Sequence, residues 1–174
     1  MTEEQFWELI ALSGQGTDDV ASHLSTLVAT LSSAQQSDIV DFEYRFREIL
    51  ARSAHYNVMA AAKVVEGSVD DDSFLYFRCR LILEGKEIYH GAIQNPDILA
   101  SVKRDLTDSG ESLLYVADKA FTRKLGEDTD EELPRDRAAG HHDYDDPFIQ
   151  LEGEDWTARE LPGKYPNLWS RYRT

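Results

Sequence analysis

Apolar residues recur at helical spacing through the first 125 residues of this 174-residue chain. Between residues 20 and 31, for example, they occupy positions 20, 24, 27, 28 and 31, which share one face of a helix. Strict alternation of apolar and polar residues, the pattern of a half-buried strand, is scarce, and so are hairpin dipeptides. The sequence therefore predicts an all-α fold, formed by a single multi-helix domain.

Residues that favour helix ends divide this region into segments. Thr2 with Gln5 fits a capping box, in which two side chains satisfy two free N–H groups of the first turn. In the helix that follows, Phe6, Ile10 and Leu12 are expected to pack. The predicted N-caps are Thr2, Thr17, Ser33, Ser68 and Asn95, and Gly126 is predicted to end the last of these helices.

The segment 127–160 differs in charge from the rest of the chain. It holds 13 acidic residues and 3 arginines, a net charge of -10 out of -15 for the whole chain. Such a composition predicts an irregular acidic arm. Apolar residues return at 161–174, and these are expected to pack back onto the helical body formed by 1–126: Leu161, Tyr165, Leu168 and Trp169.

The acidic balance restricts the partners of this protein. Nucleic acids and anionic membranes attract basic surfaces, so neither is expected to bind, whereas a basic protein partner is favoured. The single cysteine, Cys79, cannot form an internal disulfide, which suits a reducing compartment. The acidic N-terminus does not resemble a signal peptide, and the longest apolar-rich run, 58–65, is too short to cross a bilayer. We therefore expect a cytoplasmic protein.

Two charged residues fall on apolar helix faces. Helical projection places Arg78 inside the apolar arc of its helix and Arg80 outside that arc or at its margin. Glu43 falls inside the arc of an earlier helix, with Arg47 as its i+4 neighbour. We hypothesise that Glu43 and Arg78 pair across the core, with Arg47 nearby, because a buried charge needs a partner. This pair either fixes the helix register or forms the floor of a pocket for a carboxylate or phosphate.

Three consecutive aspartates precede Arg78. With Ser68 as the N-cap, Asp70, Asp71 and Asp72 occupy the first helical turn, where negative charge is favourable. Neighbouring side chains on a helix point about 100° apart, so the three carboxylates cannot converge on one ion. We expect them to start the helix, with Asp71 and Asp72 as candidate ligand-binding residues only if the pocket exists.

The stretch HHDYDD contains several residue types that bind metals. Its spacing matches no closed zinc site and no H-E-x-x-H helix, so these residues are expected to belong to a loop: His141, His142, Asp143, Asp145 and Asp146. No nucleophile motif or nucleotide-binding glycine loop occurs, and Cys79 is predicted to be a core residue. No catalytic residue, metal site or cofactor is predicted.

Several stretches resemble an uncharacterised bacterial family, domain of unknown function 4240: FWELI at 6–10, IVDFEYRFREIL at 39–50, DDSFLYFRCRLILEGKEIYHGAIQNPDILA at 71–100, LLYVADKAF at 113–121 and LPGKYPNLW at 161–169. The resemblance implies a small, mostly helical bacterial protein and no particular activity. The chain departs from the family pattern at 56–63, where YNVMAAAK stands in place of W-D-L-W-G-A-A-Y. Trp7, Tyr56 and Trp169 are candidate packing or interface aromatics.

These observations favour a non-enzymatic interaction or regulatory module in the bacterial cytoplasm. One alternative is a small-molecule binding protein or enzyme with a polar pocket around Glu43, Arg78 and Asp71. A second is an acidic immunity-type decoy that occupies a basic partner. A charged cleft would favour the pocket, whereas an exposed apolar patch rimmed by acids would favour the interaction module.

Overall fold

The computed structural model describes residues 1–144 and 149–173. Helices dominate these two ranges, in which no β-strand forms apart from an isolated bridge between His55 and Glu152. The all-α prediction is confirmed. The α-helices are α1 Glu3–Ser13, α2 Val20–Ser33, α3 Gln36–Arg52, α4 Tyr56–Glu66, α5 Asp71–Leu83, α6 Lys86–Gln94, α7 Val116–Leu125, α8 Pro134–Arg137, α9 Leu161–Lys164 and α10 Pro166–Arg173, and 3₁₀ helices span Pro96–Ser101 and Glu111–Tyr115.

Contacts divide the chain into two compact units. The first unit comprises Met1–Ala51 and Glu111–Asp145, and the second comprises Arg52–Gly110 and Asp146–Thr174. The boundaries predicted from composition, at residues 126 and 160, mark where the charge of the sequence changes. The contacts between residues divide the chain at other positions. The acidic segment contributes residues to both units.

Two of the five predicted N-caps, Thr2 and Asn95, are confirmed. Thr2 forms a complete capping box with Gln5, and Asn95 accepts a hydrogen bond from the N–H of Asp97 at 3.1 Å. At the other end of the region, Gly126 ends α7 with a φ of +97°. A side chain would be strained in that conformation, which explains the glycine.

The other three predicted N-caps are wrong. Asp19, not Thr17, caps α2, and Asp70, not Ser68, caps α5 in a box with Ser73. In both helices the N-cap is an aspartate two residues after the predicted hydroxyl residue. A carboxylate is charged, so it binds the free N–H groups of the first turn more strongly than a hydroxyl does. The third, Ser33, is the last residue of α2.

In the first unit, α2 packs against both α1 and α7. The buried ring of His23 on α2 lies 2.9 Å from the carbonyl oxygen of Ile10 on α1. Phe6 of α1 stacks on Phe42 of α3, with ring centroids 5.1 Å apart. Leu12 does not pack as expected, and its side chain is 60% exposed.

In the second unit, α4 contacts α5, α6, α10 and the first 3₁₀ helix. Ala60, Ala61 and Ala62 are fully buried, and their small side chains let several neighbours approach one short helix. Within the returning apolar segment Leu161, Tyr165 and Leu168 are buried, and Trp169 is half-buried.

Polar bonds also fix α10. Asp97 accepts a hydrogen bond from the N–H of Leu168 at 2.8 Å. Arg171 donates to the carbonyl oxygens of Ala100 at 3.1 Å and Arg104 at 3.0 Å, which follow or end the first 3₁₀ helix. Carbonyls at the end of a helix have no partner in a following turn, so an arginine is a suitable donor to that of Ala100. Arg173 similarly donates to the carbonyl of Val64 at 2.7 Å.

A close backbone contact in the second unit requires glycine at position 110. A Cβ atom on Gly110 would lie 2.2 Å from the backbone nitrogen of Arg80 and 2.6 Å from the carbonyl oxygen of Tyr76. Because both contacts are backbone atoms, we expect Gly110→Ala to lower the free energy of unfolding by about 1–3 kcal/mol. Urea denaturation measures this. Gly140→Ala is the control, since no heavy atom lies within 4 Å of its Cβ position, and equal effects of the two changes would contradict the prediction.

Candidate functional site

Helix α3 buries an ion pair. Glu43 and Arg47 are 1% and 3% exposed, and Nε of Arg47 donates to Oε1 of Glu43 at 2.8 Å. The two residues are four apart, so their side chains meet on one helix face. The predicted inward orientation of Glu43 is confirmed, and the partner that the structure describes for it is Arg47.

Residues of the acidic segment cover this pair. The ring of Tyr144 lies beneath the guanidinium of Arg47, 4.4 Å from its central carbon. The hydroxyl of Tyr144 accepts hydrogen bonds from Nε of Arg135 at 2.6 Å and from Nη2 of Arg47 at 3.4 Å. The backbone N–H of Arg135 in turn donates to Asp118 of α7 at 3.0 Å. We call Glu43, Arg47, Asp118, Arg135 and Tyr144 the Tyr144 cluster.

The electrostatics of the Tyr144 cluster follow from burial. Burial raises the pKa of the Glu43 carboxyl, and the hydrogen bond from Arg47 opposes this rise. Burial also raises the pKa of Asp118, against the hydrogen bond from the backbone of Arg135. Burial, with the nearby charge of Glu43, raises the pKa of Tyr144 to about 12. The Tyr144 hydroxyl is therefore protonated at neutral pH, and its oxygen accepts the hydrogen bonds from Arg135 and Arg47.

Two further arginines are buried on α5, in the second unit. Arg78 points inward as predicted, with its guanidinium carbon 4.8 Å from the ring centroid of Phe74, and burial lowers its pKa. Arg80 is 1% exposed, so its predicted position outside the apolar arc is wrong. It pairs with Glu84 and donates to the carbonyl of Asp105 at 3.1 Å. The error arises because α5 is buried on nearly every side.

The five predicted cluster residues divide between the two units. Glu43 and Arg47 form one ion pair in the first unit, whereas Arg78 belongs to the second. The proposed pair of Glu43 with Arg78 stays a prediction. Asp71 and Asp72 are exposed in the first turn of α5, as expected of residues that start a helix.

The three candidate aromatics lie in different settings. Trp7 is buried, packs edge-on against Phe6, and has its indole N–H 3.3 Å from a carboxylate oxygen of Glu3. Tyr56 is half-buried, and its carbonyl accepts a hydrogen bond from Trp156 at 2.8 Å. Trp169 is half-buried on α10. These positions are typical of packing residues.

The HHDYDD stretch is described as far as Tyr144. Nε2 of His141 lies 3.3 Å from a carboxylate oxygen of Glu48, and His142 adopts a positive φ of 46°. Asp145 and Asp146 lie outside the described residues. Within 1–144 and 149–173, no group of three or more metal-binding side chains comes together.

Sequence reasoning missed Arg135 and Tyr144. The sequence feature that could have indicated them is their residue type, because an arginine and a tyrosine stand within a strongly acidic stretch. Arg47 reaches them across 88 and 97 positions of the chain. No helical projection of α3 alone could identify such partners.

The chain belongs to a family of proteins of unknown function, DUF4240, whose model matches residues 1–123. The matched range includes the Glu43–Arg47 pair and all of α5. It ends before Arg135 and Tyr144, and before the LPGKYPNLW stretch. No curated protein and no solved structure matches the chain. None of the described helices is both long enough and apolar enough to span a bilayer.

Removal of one member of the α3 ion pair tests its contribution to stability. We expect Arg47→Met to lower the free energy of unfolding by about 3–5 kcal/mol at neutral pH, because the Glu43 carboxylate stays buried without its cation. Urea denaturation of both proteins measures the difference. Arg123→Met, a change at an exposed arginine of α7, is the control and should have little effect.

The same variant should respond to acid. Burial raises the folded-state pKa of Glu43 above its ordinary value of 4.5. The buried charge therefore destabilises the folded protein at pH values above this raised pKa, and the destabilisation is lost as the pH falls to 4.5. The stability difference between the natural protein and Arg47→Met should therefore narrow as the pH falls toward 4.5 and below. A difference that stays constant over this range would contradict the assignment of the effect to Glu43.

Proposed function

We propose that this protein is a non-enzymatic interaction module of the bacterial cytoplasm that binds a basic amphipathic helix. The observation that carries the proposal is an exposed apolar groove with acidic residues at its edge, formed in the first unit. The groove has a volume of about 300 Å³, and these residues line it: Met1, Gln5, Glu8, Leu9, Leu12, Thr30, Leu31, Ala34 and Asp38.

Leu12 makes this groove a candidate binding surface. It is 60% exposed, more than Ile98 and Leu125, the other large hydrophobic residues that are exposed within 1–144 and 149–173. A single exposed leucine is ordinary, but this one borders a groove to which Leu9 and Leu31 also contribute. Apolar patches with polar edges are typical of protein interaction sites.

Charge indicates the chemistry of the partner. Glu8 and Asp38 lie at the groove, on a chain whose net charge is -15. An amphipathic helix can place apolar residues at i, i+3 and i+4 in such a groove while its Lys and Arg residues face the acids. The charges increase the association rate and disfavour acidic partners, and the apolar contacts supply most of the affinity.

The buried charges support a non-enzymatic role. In the Tyr144 cluster the Glu43 carboxylate is bound by Arg47, and the Arg47 guanidinium is covered by an aromatic ring. The hydrogen bonds and ring contacts described for these groups are made with other residues of the protein. They therefore favour the interaction module over an enzyme or binding pocket around Glu43, Arg78 and Asp71.

A second candidate function, an acidic decoy for a basic partner, is favoured by the exposed carboxylates of the first unit: Glu127, Asp128, Asp130, Glu131, Glu132 and Asp136. Such a protein would bind mainly by charge. Its association would be lost in moderate salt and would not depend on Leu12.

Co-purification with matched variants distinguishes these functions. We expect a basic protein to co-purify with the natural chain at low salt, and Leu12→Asp to weaken its capture by about tenfold or more, since a buried apolar anchor would be lost. Glu8→Gln should weaken capture at low salt and make the remaining capture less sensitive to salt, because a contact that salt screens is lost. Leu125→Asp is the control, because Leu125 is 39% exposed and does not line the groove.

The contrasting outcomes are specific. If Leu12→Asp and Leu125→Asp capture the same proteins in equal amounts, the groove is not the binding surface. If capture persists in both but disappears when the acids at 127–136 are changed to Gln and Asn, the decoy function is supported instead.

A further inference from the structure

A second cavity of the first unit has a different chemistry. It lies along α2, α7 and the second 3₁₀ helix and has a volume of about 320 Å³. That volume is at the lower end of the range of about 300–1,000 Å³ for small-molecule sites. The cavity is lined by Ala21, Leu24, Ser25, Val28, Ser112, Val116, Lys119 and Arg123.

The lining combines apolar and cationic groups. Leu24 and Val116 are buried and form an apolar floor. Lys119 and Arg123 are one turn apart on α7, so their side chains project from the same face of the helix. The hydroxyls of Ser25 and Ser112 add two hydrogen-bonding groups.

The two cations are available to a ligand. Within the described residues neither Lys119 nor Arg123 forms an ion pair, and the ammonium of Lys119 lies 5.9 Å from the ring centroid of Tyr115. The chain has 33 acidic residues against 18 Lys and Arg. Acids are therefore plentiful, yet none of the residues lining this cavity is acidic.

We propose that this cavity binds a small amphipathic oxyanion, a carboxylate or phosphate monoester with a short aliphatic body. The oxyanion lies between Lys119 and Arg123, and the guanidinium can donate two parallel hydrogen bonds to it. The aliphatic chain covers Leu24, Val28 and Val116. No bond is made or broken, so the site is one of recognition only.

This inference is independent of the proposed function. The interaction groove is lined by other residues and has acids at its edge, and it would attract the opposite charge. Loss of partner binding in Leu12→Asp would leave the cavity unchanged. Conversely, failure of an oxyanion to bind would leave the interaction module untouched.

Octanoate and octyl phosphate are suitable probes, with octylammonium as the matched cation and octanol as the neutral control. Titration of the ¹⁵N-labelled protein, followed by amide chemical shifts, should give saturable changes in residues 21–28 and 112–123 with at least one of the two anions. Octylammonium should give none there. Lengthening the anion from hexanoate to octanoate should tighten binding by up to about fourfold per methylene.

Variants at exposed residues complete the test. Arg123→Gln and Lys119→Gln should each weaken binding by about tenfold, since each removes a charge-assisted hydrogen bond. Lys124→Gln, which removes an adjacent exposed charge outside the cavity, should leave binding unchanged. The proposal is overturned if neither anion gives saturable shifts, if octylammonium binds equally well, or if Lys124→Gln has the same effect as Arg123→Gln.

Discussion

The packing of the first unit depends on the guanidinium of Arg47. It forms an ion pair with Glu43 on its own helix, covers the ring of Tyr144, and donates to the carbonyl of Arg135 at 3.1 Å. The guanidinium of Arg47 thereby neutralises the buried carboxylate of Glu43. It also contacts Arg135 and Tyr144, two residues of the strongly acidic segment that are distant from Arg47 in the sequence. Only an arginine offers a planar cation with enough donors for all these contacts.

This arrangement also explains how a segment with a net charge of -10 can pack against the protein. Arg135 lies between Tyr144 and Tyr115, 5.5 Å and 5.1 Å from their ring centroids. Its backbone is bound by Asp118. Cation–π and hydrogen-bonding contacts of Arg135 and Tyr144 attach this part of the segment, while the carboxylates of its described residues are exposed.

Part of this structure follows from the sequence. The helical character of residues 1–125 and the inward positions of Glu43 and Arg78 were predictable, because a charge on an apolar helix face shows in the helical period alone. Arg80 was not, because a helix buried on nearly every side has no polar face to assign. Two caps were misplaced where an acid followed a hydroxyl within two residues, and a third where the serine ends the preceding helix. Arg135 and Tyr144 reach Arg47 only through tertiary folding, which local patterns do not record.

The bonds of α10 give the end of the chain a particular chemical character. Arg171 and Arg173 donate to backbone carbonyls of neighbouring elements, and the carboxylate of Asp97 accepts a bond from the backbone N–H of Leu168. The acceptors of both arginines are main-chain atoms, so changes of the side chains at Val64, Ala100 and Arg104 would leave these attachment points of the C-terminal helix in place.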